Sequence, residues 1–78
     1  MNKNDKVWIE FILQEEKPKT KVYGVWSKCS ECFIGTIKWH PQWRHYCFFP
    51  DEETIYSDRC LLNISKFVSK LNEEHKGR

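Results

Sequence analysis

Cys60-Leu61-Leu62-Asn63-Ile64-Ser65-Lys66-Phe67-Val68-Ser69-Lys70-Leu71 decides the fold, because here the apolar residues switch to helical spacing. Leu61, Ile64, Val68 and Leu71 recur three and four residues apart, with Cys60 and Phe67 flanking the same stripe. The opposite face is polar: Asn63, Lys66, Lys70, Glu73 and Glu74. Ser57 or Asp58 can accept a first-turn amide as N-cap. Lys70, His75 and Lys76 suit the negative end of the helix dipole, and Gly77 is placed to stop the helix. A helix is therefore expected over residues 58–75. Alone in water such a helix is marginal, so Leu61, Ile64, Val68 and Leu71 are expected to be core.

Upstream of the helix the pattern is strand after strand. Val7-Trp8-Ile9-Glu10-Phe11-Ile12-Leu13 places Val7, Ile9, Phe11 and Leu13 on one face by the period of two. Residues 14–20 are charged, contain Pro18 and read as a loop. Further strands are expected over 21–27, 33–39 and 43–49, with turns at Ser27–Cys32 and His40-Pro41-Gln42. Thr54-Ile55-Tyr56 adds a short extended piece. Gly24 and Gly35 fall inside strands, which signals a bulge, a bend or the close approach of another group.

Lengths then set the architecture. A helix over 59–74 spans about 24 Å at the usual rise, and strands of seven residues span about 23 Å. One helix can cover one face of the sheet. The expected fold is α+β: a four-stranded antiparallel meander with one C-terminal helix packed on one face, ββββα. It forms a single domain over 1–78, with 1–6 frayed and the sheet over 7–56.

A sheet covered on one side leaves its other side to water. In this chain the second side cannot be wholly polar. The third strand sets Phe33, Ile37 and Trp39 against Ile34, Thr36 and Lys38, and the fourth sets Trp43, His45, Cys47 and Phe49 against Arg44, Tyr46 and Phe48. The chain holds four Trp, three Tyr and five Phe, more ring surface than one face of a small sheet can bury. Much of it is expected to be core. The surplus points to an interaction surface, since Trp, Tyr and Arg concentrate at binding hot spots. The residues chosen for it are Trp8, Tyr23, Trp39, Trp43, Arg44 and Tyr46.

Composition narrows the class. Seventy-eight residues make one domain, one that buries only about 60–65% of the surface its unfolded chain exposes. That leaves little room for a deep cleft. The net charge of +2 is too balanced for a dedicated duplex-DNA binder. No apolar run is long enough to span a bilayer, and no secretory signal opens the chain. A bacterial cytoplasmic location, without membrane association and with reduced cysteines, follows as the expectation.

Two motifs could carry chemistry. Cys29-Ser30-Glu31-Cys32 is a C-x-x-C at a hairpin tip, and Cys29 and Cys32 could both reach one zinc ion. That is half a site. Cys47, Cys60, His40 and His45 are the only candidates to complete it, and Cys47 and Cys60 are equally well explained as small buried residues. No cofactor is expected, with zinc the minor alternative. His40 and His45 flank Trp43, but no nucleophile and base stand out by spacing, so no enzymatic activity is expected. Lys19, Lys21, Lys38 and Arg44 interleave with Tyr23, Trp39, Trp43 and Tyr46, a composition that could stack and hold single-stranded nucleic acid.

Gly35-Thr36-Ile37-Lys38-Trp39, then Trp43-Arg44-His45-Tyr46-Cys47-Phe48-Phe49-Pro50, Thr54-Ile55-Tyr56, Cys60-Leu61 and Lys70-Leu71-Asn72 give a G-x-I-K-W … W-R-x-Y-x-F-F-P pattern. In this the chain resembles small uncharacterised proteins of bacteriophages and bacterial mobile elements, over roughly Tyr23 to His75. The C-x-x-C is not part of the pattern. No activity or site residue comes with the resemblance. It implies a role class: a stoichiometric inhibitor of a host protein, such as a defence nuclease. Three readings follow: a non-enzymatic binder of a host protein, a single-strand nucleic-acid-binding module, and a zinc-stapled interaction domain. Homodimerisation through a sheet edge or the exposed face is compatible with each.

Overall fold

The structure, a computed structural model, describes residues 9–76. Val7 and Trp8, the residues 1–6 expected to be frayed, and Gly77 lie outside the described residues. Four strands, β1 (Ile9–Glu16), β2 (Lys21–Ser27), β3 (Cys32–His40) and β4 (His45–Pro50), precede one helix, α1 (Asp58–Lys76). The strands pair in chain order, each antiparallel to the next. This is the expected ββββα meander.

Pairing register sorts the side chains onto two faces. Ile9 and Phe11 of β1, Tyr23 and Val25 of β2, Ile37 and Trp39 of β3, and Tyr46 and Phe48 of β4 share the helix side. Ile9, Val25, Ile34, Ile37 and Tyr46 are buried there with Ile64 and Leu71 of α1. Phe67 reaches furthest across the sheet: its ring stacks on Phe11 at 4.0 Å and meets the edge of Tyr23 at 4.9 Å.

Ser57 caps the helix as expected. Its Oγ accepts from the Cys60 amide at 3.2 Å, and its carbonyl accepts from Leu61 at 3.0 Å. Leu61 is a correction to the expected core, being 51% exposed. The buried stripe runs through Cys60, Ile64, Phe67 and Leu71, and at about 100° per residue Leu61 falls to one side of it. Val68 lies at the edge of the stripe, half-buried.

Three details of the strands also differ. β1 runs three residues beyond Leu13, through a register shift between Leu13 and Glu15. An edge strand in water tolerates both the bulge and the charged residues. Leu13, expected inside, is exposed, because it lies past Phe11, where Phe67 ends its reach over β1. In β3 a shift opposite Val25 and Trp26 leaves Ile34 without a partner. This bulge turns Ile34 into the core and sends Phe33 to the opposite face, reversing the expected alternation at that end. In the β3–β4 connection, Arg44 adopts φ 59° and its amide bonds the His40 carbonyl at 2.7 Å. That bond closes a turn over 41–44, so Trp43 belongs to the turn and β4 starts at His45.

A tie between helix and sheet completes the frame. The Tyr46 amide points off the free edge of β4 and donates to Asn72 Oδ1 of α1 at 2.7 Å. The Tyr46 hydroxyl in turn accepts from the Lys21 amide at 3.1 Å. Asn72→Ala should cost about 1–3 kcal/mol by stranding the Tyr46 amide, read as a lower urea midpoint with an unchanged slope. A shift within error would mean that water satisfies this amide.

Candidate binding surface on the open face of the sheet

Among the described residues, no element forms a layer over the other face of the sheet. This face presents Glu10 and Ile12 of β1, Trp26 of β2, Phe33, Thr36, Lys38 and His40 of β3, and His45, Cys47 and Phe49 of β4. Its rings form two groups. Trp26 and Phe33 meet edge to face at 5.0 Å. The Phe33 ring lies on Gly24, where an added Cβ would come within 2.6 Å of it. This explains the glycine: a side chain there would lift the ring. Phe33 and Ile12 are nonetheless exposed.

The second group follows from the turn. Closing the loop over 41–44 carries the Trp43 indole onto His40, with ring centres 4.8 Å apart, and the Trp43 amide bonds His40 Nδ1 at 3.2 Å. His40 lies nearly parallel to Phe49 at 6.0 Å. Lys38 Nζ sits 4.9 Å from the Phe49 ring centre, within cation–π range. Trp43 is 66% exposed. The result is a short row of rings, Trp43–His40–Phe49, with cations beside it from Lys38 and Arg44.

The six residues chosen from sequence divide. Trp43 and Arg44 are exposed in the turn, at the end of the row. Tyr23, Trp39 and Tyr46 lie on the helix side. Tyr23 packs on Phe67, and Trp39 packs on Tyr46 and on His75 at 4.3 Å. Tyr46 is only 6% exposed, so the core takes it and it has no surface to offer. Trp8 lies outside the described residues. Trp26, Phe33, Phe49, Lys38 and His40 complete the open face and were not chosen. The signal for Phe49 and His40 was the alternation of their strands. The bulge at Ile34 hid Phe33.

Cys29 and Cys32 are exposed at the β2–β3 turn. They line a groove of about 560 Å³ with Cys60, Ile9, Ile34 and Ile55. His40 and His45 lie at the opposite end of β3, and Cys47 lies on the open face. Among the described residues, no group of three or more His, Cys, Asp or Glu side chains is gathered closely enough to hold a metal ion.

Compared with known proteins, the chain is similar to an uncharacterized 9.3 kDa protein of Acholeplasma phage L2. The two are 28% identical over 71 residues, covering 88% of this chain and 90% of that protein. No family model matches the chain, and no solved structure matches it. The likeness is to a small phage protein and carries no support for the specific motif pattern. Among the described residues, no helix is long and apolar enough to cross a membrane.

Proposed function

We propose that this is a phage-type binding protein, without enzymatic activity or cofactor, that acts stoichiometrically through the open face of its sheet in the cytoplasm of a bacterial host. One observation carries the reading: two groups of rings, Trp26–Phe33 and Trp43–His40–Phe49, stand on a face that no element among the described residues covers. Exposed ring surface of this extent on a domain so small is a contact surface. Trp43 is held in place before any partner arrives, by the closed turn beneath it. Little side-chain freedom is then lost on contact. The likeness along most of the chain to a small phage protein supports a phage product of this kind.

The test compares the wild-type chain, as bait in a bacterial host lysate, with a Phe33→Ser, Trp43→Ala double variant. Both positions are exposed, so the variant should keep a cooperative thermal transition. It is expected to lose what the wild type retains, protein or nucleic acid. A folded variant that retains the same material overturns the reading.

A further inference from the structure

We infer that the occupant of the open face is a single-stranded nucleic acid. This rests on the open face being the contact surface and adds the class of partner. The charge along the chain is unevenly placed. From Lys17 to Pro50 there are six Lys or Arg residues and one acid, Glu31. Acids cluster before this stretch, at Glu10, Glu15 and Glu16, and after it, at Asp51, Glu52, Glu53 and Asp58. In the fold this means that β2, β3 and β4 present no carboxylate to the open face. Glu10 of the outermost strand does stand on this face, opposite Trp26, and is paired there with Lys28 at 3.5 Å. The row Trp43–His40–Phe49 and its two cations thus lie on β3, β4 and their turn, which carry no carboxylate.

The rings are spaced for stacking. Phe49 pairs with Thr36, and Thr36 with Gly24, so Phe49 stands two strands across from Trp26 and two residues along. That separation is roughly 12 Å at usual strand spacings, a gap that one short strand bridges with bases on both groups. Lys38 and Arg44 lie beside the second group, where phosphates would pass. Rings that take bases and cations that take the backbone form a sequence-tolerant single-strand platform. A duplex keeps its bases stacked on one another and cannot use the rings.

The test is a titration of the intrinsic tryptophan fluorescence of the full chain with oligo(dT), oligo(U) and a DNA duplex over a salt series. Saturable quenching by the single strands, weak binding of the duplex and an affinity falling with salt are expected. The deoxy and ribo arms separate DNA from RNA as the natural ligand. Trp43→Ala should weaken binding about 5- to 150-fold, the usual worth of one base–ring stack. A Lys38→Gln, Arg44→Asn double variant should flatten the slope of log affinity against log salt by about 1.4, because two phosphates are then no longer neutralised by the protein. Asn is chosen because it tolerates the positive φ of Arg44.

Absence of quenching at low salt overturns the inference, as does binding that neither variant alters. If oligonucleotides fail while the Phe33→Ser, Trp43→Ala variant still loses its capture from nuclease-treated lysate, the face remains the contact surface and its partner is a protein. If sedimentation shows a dimer that Trp43→Ala dissociates, and no oligonucleotide binds, the occupant is a second copy. Either outcome overturns the nucleic-acid assignment alone.

Discussion

Ile37→Ala should lower the unfolding free energy by about 2–5 kcal/mol, the usual cost of emptying a fully buried aliphatic site. Ile37 is 0% exposed and sits at the centre of the sheet, paired with Tyr23 on one side and Phe48 on the other. Its neighbours are held by hydrogen bonds and by α1, so the space left behind closes only in part. Small domains stand near the lower end of the usual range of about 5–15 kcal/mol. The variant should be partly unfolded at 37 °C, with a midpoint lower by several degrees for each kcal/mol lost. Urea unfolding followed by circular dichroism measures this. A loss below about 1 kcal/mol would show that the helix does not press on the sheet at this point.

Gly35→Ala should also be severe, about 1–3 kcal/mol or more from overpacking. An added methyl carbon would come within 2.6 Å of the Phe48 ring and within 2.9 Å of the Phe49 carbonyl oxygen. The first is confined beneath Tyr56, whose ring meets Phe48 edge to face at 5.4 Å. The second is backbone in the paired strand and cannot swing aside. Gly24→Ala is the control. The groups it would meet there, the Gln14 amide and the Phe33 ring edge, belong to exposed side chains. They can turn outward, so that variant should lose well under half as much. Thermal melts of the two single variants side by side decide the point, and equal losses would contradict it.

The fold was legible because two periodicities coexist in the chain and their lengths match: strands of about seven residues and a helical stripe that covers one face. The two strand glycines were legible too, each lying under a phenylalanine ring. Local backbone detail was not. The bulge that turns Ile34 inward involves one unpaired residue, and nothing in Phe33-Ile34-Gly35 distinguishes it from plain alternation. The turn over 41–44 depends on Arg44 taking a left-handed conformation, which arginine adopts seldom. Both events bear on which rings face water, so the existence of an exposed aromatic surface could be read while most of its members could not. Tyr23, Trp39 and Tyr46 share the strand parity of Ile37 and Phe48, which assigns them to the helix side once the burial of Ile37 is known. The basic stretch from Lys17 to Pro50 was visible throughout, but a total charge of +2 averages it away.

The hold of Asn72 on the Tyr46 amide has a consequence for how copies of the chain behave at high concentration. A sheet with a bare, flat border invites another strand to add on, then another, until a fibril grows. Here one border has a donor already engaged by the helix. The other is kinked between Leu13 and Glu15 and carries adjacent carboxylates at Glu15 and Glu16, which repel a like border brought against them. Growth of that kind is obstructed on both flanks, and the molecule can keep an oily face open without seeding aggregates.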